Sequence, residues 1–494
     1  MLEGGAHSLS RPASYFPSVL ASCVDAEWAV RPLVRAGAKG NSGMHSWRMA
    51  PFLHDDDRRY NGRTQSLRQI SIKPGRGAAA SHIDPGLLLK PHSATAETDC
   101  AENISVALEW KLLLPLLAPR QKDPRPDDGR PIVELRDDDG DARGYLEQAS
   151  ESIAQTVRRA GERAVTMHSL VNDGLAEKDF WDSSWVVKKA NSVEPLDEEK
   201  AFREYIWVGV EICSPKMRFK DPDTQARILK VLAALNSGHR LAANCTCEVH
   251  VHLGRMDGRP WSLSTLKRLA ALLWVAEPTL RSIRNPQSPN YHNIYTWGFP
   301  MRQQSRLAGR VGSRATTATQ LASISDLQAI DAVQRQTTVP AQELNALVEI
   351  WKTSSHLELG QLLSGPEKMY RRLGFNFSAF GEEDERARRN PRTMEFRIME
   401  GSISADLVAG WLSICGSIAE TAVTVSDDRF TSALAVSLRH SDKRRRADEA
   451  SDSEKETPSS RRGRDFRELM QALGVTEQHY RHFEEKIKRE HRRF

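Results

Sequence analysis

The sequence predicts an α+β fold built on a largely antiparallel sheet. Three observations carry that expectation. Several short segments alternate apolar and polar residues with the period of a strand. The helical segments between them are spaced too irregularly for repeating βαβ units. Neither G-x-G-x-x-G nor G-x-x-x-x-G-K-[ST] occurs anywhere in the 494 residues, so any use of ATP must rest on metals and charged side chains.

Order begins at Ile104-Ser105-Val106-Ala107-Leu108-Glu109-Trp110-Lys111-Leu112. Alternation turns Val106, Leu108 and Trp110 to one face and Ala107, Glu109 and Lys111 to the other. Residues 120–143 are rich in Pro, Asp, Gly and Arg and read as a loop. Gly144 to about Asn172 reads as helix, with Tyr145, Ile153, Val157, Ala164 and Val165 on its apolar face. Trp185-Val186-Val187 and Ile206–Ile212 read as strands, the second ended by Pro215. Residues 223–236 form a helical face, and Cys245 to Leu253 a strand closed by Gly254. Ser264 is the expected cap of a helix reaching about Arg281, with Pro278 kinking or ending it. Residues 302–325 read as loop and 339–363 as partly helical. Met394–Ile398 is a strand, followed by a helix capped by Ser404 whose stripe includes Leu407, Trp411, Cys415 and Ile418. A terminal helix is expected from about Asp465 to His491.

Composition sets the outer bounds. Hydrophobic residues are 39% and charged residues 27%, and the mean hydropathy is −0.53. Residues 1–100 lack sustained periodicity and read as a disordered N-terminal segment. The expected organisation is a folded domain at 101–435, a charged disordered linker at 436–465 and a C-terminal helix at 466–494. Seventy Lys and Arg against 65 Asp and Glu give +5, too small a surplus for a dedicated nucleic-acid binder. No membrane-spanning run and no secretory signal are expected. Six scattered cysteines suit a reduced compartment. The expected location is the cytoplasm, with the nucleus left open by Lys443-Arg444-Arg445-Arg446, which otherwise reads as a solvated charge run.

Four strands each present an acid or imidazole on one face, with aliphatic residues behind. In Cys245-Thr246-Cys247-Glu248-Val249-His250-Val251-His252, the cysteines share a face with Val249 and Val251, whereas Glu248, His250 and His252 share the other. One tetrahedral ion cannot use both faces of a straight strand, so a Cys2His2 zinc site is not expected. Glu248, His250 and His252 form an oxygen and nitrogen half-site for a divalent ion, or else a pair of hydrogen-bonded histidines. Glu211 is a metal or substrate ligand or an edge-strand charge. Buried Glu109 needs a cation or a donor, and Lys111 could supply it. Glu395 and Arg397 share a face, where the acid can hold a metal and the guanidinium a phosphate or carboxylate oxygen, or the two form a salt bridge.

The run of motifs Leu108-Glu109-Trp110-Lys111, Trp185-Val186-Val187, Gly209-Val210-Glu211-Ile212-Cys213-Ser214-Pro215, Cys247-Glu248-Val249-His250-Val251-His252-Leu253-Gly254 and Thr393-Met394-Glu395-Phe396-Arg397 resembles the amidoligase family common in fungi. Phe375-Asn376-Phe377 and Glu400-Gly401-Ser402 before Trp411 add to the likeness, which covers about residues 104–425. That family is similar to the glutamine synthetase and glutamate-cysteine ligase superfamily. The resemblance implies a curved antiparallel sheet with helices on one side and a glutamine synthetase-like catalytic core, whose concave face holds ATP and Mg2+ or Mn2+. It implies phosphorylation of a substrate carboxylate and attack by an amine, so the partners are ATP and small amine, carboxylate or peptide substrates. Glu109, Glu211, His250, His252 and Glu395 fall on the metal or ATP side. Arg397 falls on the phosphate or carboxylate position and Asn376 on a polar site position. Two positions depart from the pattern. Lys111 stands where the first strand otherwise carries a second glutamate; it neutralises phosphate or marks an inactive descendant. Glu248 stands where a glycine is usual and can serve as a replacement carboxylate. A ligase-fold binding protein and a metal-dependent hydrolase are the alternatives to a working ligase.

Overall fold

The computed structural model describes residues 99–136, 142–172, 182–285, 288, 298–311, 340–366, 371–381, 392–424, 427–449 and 458–490. The expected disordered segment up to residue 98 lies outside them, as do residues 312–325 of the expected loop.

A mostly antiparallel, open sheet forms the centre, among the described residues in the order β3-β4-β5-β1-β7-β9-β8, with β2 and β6 pairing β1. Its strands are β1 (Ile104–Leu117), β2 (Val133–Glu134), β3 (Ala164–Thr166), β4 (Trp185–Lys189), β5 (Tyr205–Cys213), β6 (Met217–Arg218), β7 (Glu248–Arg255), β8 (Phe375–Asn376) and β9 (Met394–Glu400). Only β1–β2 and β3–β4 are parallel. The long central strand β1 pairs with β5 on one side and β7 on the other.

The period-2 pattern divides the sheet as expected. Val106, Leu108, Trp110, Val210, Ile212, Val249, Val251 and Phe396 are buried on the apolar face. The principal helices cover that face: α1 (Ala142–Arg159), α2 (Pro222–Gly238), α3 (Leu263–Leu280), α4 (Ala341–Lys352), α5 (Ala405–Val423), α6 (Asp427–Glu449), α7 (Pro458–Ala472) and α8 (Glu477–Glu490). The opposite face keeps Glu109, Lys111, Glu211, His250 and Glu395. This division follows from burial: one face offers apolar area worth about 25 cal/mol per Å2, and the other carries groups too costly to place under helices.

Helix starts follow side-chain capping. Asp221 accepts from the Asp223 N–H at 3.0 Å, with Pro222 opening α2. Ser262, not Ser264, caps α3 by accepting from the Thr265 N–H at 3.2 Å, and Pro278 is carried in the last turn of that helix. Ser404 accepts from the Leu407 N–H and caps α5.

Several segments differ from the sequence expectation. Ala164–Thr166 is a strand, because Gly161 with φ 85° turns the chain out of α1. Residues 301–311 are helical, as Met301–Gln304 and Arg306–Val311, although their composition reads as loop. β7 starts at Glu248, after a turn in which the Cys247 N–H bonds the Asn244 carbonyl at 3.0 Å. Helix α6 takes in residues 436–449 of the stretch read as linker, including the backbone of the 443–446 basic run, and α7 takes in 458–465; residues 450–457 lie outside the described set. The terminal helix is two helices, α7 and α8, divided at Gly474 with φ 69°. Helix α5 is 19 residues long with a hydropathy of 1.2, enough by length and composition for a membrane span that the sequence reading did not expect, but 72% of it is buried in the fold.

The C-terminal pair closes the apolar layer. Phe375, Phe396, Trp411, Phe483 and Phe466 form a continuous ring chain from β8 to α7, with successive centroids 5.5 to 6.3 Å apart. Phe483→Ala is expected to lower stability by about 3–5 kcal/mol through the cavity it leaves. Chemical denaturation measures this, and a change under 1 kcal/mol would show that α8 is not part of the core.

Candidate metal and phosphate site

Cross-strand register places the candidate residues on the sheet face opposite the apolar one, where most of them are buried. Three rows run across it. In the first, Lys188 of β4 pairs with Glu211 of β5, which pairs with Lys111 of β1. In the second, Cys213 pairs with Glu109, which pairs with His250. In the third, Ala107 pairs with His252, which pairs with Glu395, which pairs with Asn376. The β7–β9 register shifts between Val249 and Val251, where one residue of β7, His250, opposes two of β9, Arg397 and Ile398. This bulge brings Arg397 in beside the cluster.

Glu109 is the hub. Its Oε2 lies 3.1 Å from His250 Nδ1 and its Oε1 lies 3.0 Å from His252 Nε2. The other nitrogen of His250, Nε2, contacts Glu248 Oε2 at 2.9 Å, and Lys111 Nζ stands 3.7 Å from the same oxygen. Glu395 Oε1 accepts from Arg397 at 2.5 Å and lies 3.2 Å from His250 Nδ1. Its Oε2 accepts from Asn376 Nδ2 at 2.9 Å, while Asn376 Oδ1 accepts from the Ser378 N–H. Lys188 Nζ contacts Glu211 Oε1 at 3.2 Å.

Two residues of this cluster escaped sequence reasoning. Lys188 lies two residues beyond Val186 on the same strand face, and period-2 counting from Val186 is the signal for it. Thr393, whose hydroxyl lies 3.1 Å from His252 Nδ1, is marked in the same way by period-2 counting back from Glu395. Cys247 is buried as expected for a small core residue, but not behind the strand with Val249. It precedes β7 and packs with Leu113, Ala190 and Val193.

The charges hold one another in place. Burial works against ionised Glu109, but the charge of His252 and the hydrogen bonds from both imidazoles hold its carboxyl well below the usual range. Burial likewise opposes ionised Glu395, and Arg397 with the two histidines outweighs it. Burial, Lys111 and Arg397 disfavour protonation of His250, yet Glu248 and Glu109 raise its pKa to about 9. His252 is also raised, by Glu109 and Glu395 against burial. Glu211 is shifted upward by burial and by the charge of Glu109, which Lys188 and Lys111 offset only in part.

The donor set suits a divalent cation. Ligand atoms of Glu109, His250 and Glu395 lie within 4.8 Å of one another. Two carboxylates and one imidazole form a mixed set compatible with Mn2+ or Mg2+. With His250 neutral and its Nε2–H donated to Glu248, the Nδ1 lone pair faces Glu109 and Glu395, an orientation typical of metal-bound histidine.

Two outcomes are expected. A histidine whose folded pKa is raised contributes stability below its unfolded value of about 6.5, and that contribution is lost as pH rises through the folded value. Without added metal, stability should fall by on the order of 2–3 kcal/mol between pH ~6.5 and pH ~9. His250→Gln should flatten this slope in denaturation curves taken across the range; an unchanged slope would mean that His250 is not its source. Separately, His250→Ala should weaken Mn2+ binding at least ~10-fold, as losing a ligand does, while Cys247→Ala leaves it within twofold. Equal losses in a Mn2+ titration would place Cys247 in the site.

Residues 143–355 match the family model described as "Putative amidoligase enzyme". The matched span contains Lys188, Glu211, Glu248, His250 and His252; Glu109, Lys111, Asn376, Glu395 and Arg397 lie outside it and join the same cluster through β1, β8 and β9. No curated protein matches the chain. The family match points to a ligase-type enzyme.

Proposed function

We propose that the protein is an ATP-dependent carboxylate–amine ligase on a glutamine synthetase-like core, of the kind common in fungi. The observation that carries this reading is the convergence of Glu109, His250 and Glu395 on one sheet face, with Arg397 bonded to Glu395. Glu109, His250 and Glu395 would hold Mg2+ or Mn2+, and His252 and Glu211 flank them. The ion, when bound, supplies charge neutralisation for nucleotide phosphates.

Every other part of the chemistry falls to side chains. A substrate carboxylate oxygen attacks the γ-phosphorus of ATP, ADP leaves, and an acyl phosphate results. The amine nitrogen then attacks the acyl carbon, loses a proton, and expels phosphate to leave an amide. No glycine-rich loop cradles the phosphates, so fixed cations must do so. The Arg397 guanidinium presents a planar donor fork suited to phosphoryl oxygens. Its contact with Glu395 fixes it in advance of the reaction, which lets it stabilise charge without reorganisation. Asn376 holds the second oxygen of Glu395 and so fixes that carboxylate. Lys111 Nζ stands 3.7 Å from Glu248 Oε2 and reads as a neutralising residue that orients Glu248 toward His250. The expected setting is the cytoplasm, with the nucleus open.

One observation favours a second reading, a binding protein on the same fold. Lys188 and Lys111 already compensate Glu211 and Glu248 without any ligand.

The deciding experiment measures ADP release across a panel of amino-acid and peptide carboxylates and amines with Mg2+ or Mn2+. A ligase releases ADP only when both an acceptor amine and a carboxylate are present, and Arg397→Lys should lower turnover by ~100-fold or more. ATP binding without ADP release in any combination supports the binding protein. ADP release that is indifferent to the amine supports hydrolysis and overturns the ligase.

A further inference from the structure

The first cross-strand row is a line of alternating charge. Lys188, Glu211 and Lys111 are register partners on β4, β5 and β1. Glu248 continues the line on β7, 3.7 Å from Lys111. Lys188 Nζ lies 3.2 Å from Glu211 Oε1, and about a quarter of its side chain is exposed. Ligand atoms of Glu109, Glu211 and Cys213 also lie within 4.8 Å of one another, which by distance alone is a second cation position sharing Glu109.

The two positions differ in what already balances them. Glu109 and Glu395 face imidazoles, whose ring nitrogens can themselves ligate an ion. Glu211 faces ammonium groups on both neighbouring strands, which do not leave. Among the described residues the cluster holds four carboxylates, Glu109, Glu211, Glu248 and Glu395, against three basic side chains, Lys111, Lys188 and Arg397. With neutral imidazoles, one negative charge remains. One divalent ion leaves the cluster at a single positive charge. Two ions would leave it at three, on a largely dehydrated sheet face where uncompensated charge is costly.

We propose that the Lys188 ammonium is a built-in cation at the Glu211 end of the site, so that the nucleotide-free protein takes one divalent ion, at Glu109, His250 and Glu395, and not two. This rests on the ion reading given under Proposed function. Lys188 acts as a positioning residue: it fixes Glu211 and lends Glu109 a positive neighbour in place of a second ion.

The test is Mn2+ binding to the full chain without nucleotide, followed by calorimetry and by electron paramagnetic resonance. The parent should bind one Mn2+ with no spin coupling between ions. Lys188→Met keeps the side-chain length and removes the charge. It should add a second, coupled Mn2+ whose affinity is at least ~10-fold tighter than any second binding in the parent. Lys188→Arg keeps the charge and should stay at one. Two coupled ions in the parent overturn the inference whether or not Lys188→Met folds, and leave the ion reading standing. A folded Lys188→Met protein that stays at one ion also overturns it. No Mn2+ bound by the parent or either variant overturns the ion reading and this inference with it.

Discussion

The charged face of the sheet is governed by one constraint: Glu109, Glu211, Glu248 and Glu395 must be held on a largely dehydrated surface. A lone buried carboxylate costs several kcal/mol, so each must find a partner of opposite charge at close range. Strand register supplies those partners. Glu109 has His250 as its neighbour across β7, Glu211 has lysines on both sides, and Glu395 has His252 across β7 and Asn376 across β8. A slip of one residue in β1 would turn Glu109 and Lys111 under the helices and expose Trp110. The apolar face therefore enforces the register on which the charged face depends. Trp110 pins it further by donating its indole N–H to the Ser402 carbonyl at 2.7 Å.

This dependence explains what could be read from sequence and what could not. Alternation alone assigned Glu109 and Lys111, Glu211, His250 and His252, and Glu395 and Arg397 to one face, because strand geometry leaves no freedom once the core face is known. It could not say which strands lie side by side. Glu109 and His250 are 141 residues apart, and their contact is a property of the β1–β7 pairing alone. Lys188 shows the limit most clearly. In Val186-Val187-Lys188-Lys189 it reads as one of two lysines ending a strand, and only the β4–β5 register gives it Glu211 as a partner. The bulge that sets Arg397 beside the cluster leaves no mark in composition. Local rules failed for local reasons elsewhere. The 301–311 helices form because Glu277, itself buried, accepts from the N–H groups of Met301 and Arg302 at 2.6 and 2.8 Å, a long-range cap that no window of sequence contains.

The same geometry separates strength from exchangeability. Arg397, Lys111 and Lys188 are fixed positive groups, and their partners are accordingly stable features of the folded chain. The imidazoles of His250 and His252 are positive only while protonated, so the charge they supply to Glu109 and Glu395 can be withdrawn. A cation arriving there replaces protons and leaves the surrounding net charge nearly unchanged, whereas one arriving at Glu211 adds to charge that is already balanced. The proposed ion position is thus the part of the face whose charge balance is held by titratable groups. It lies where β1, β7 and β9 meet, on the side of the sheet opposite the apolar face.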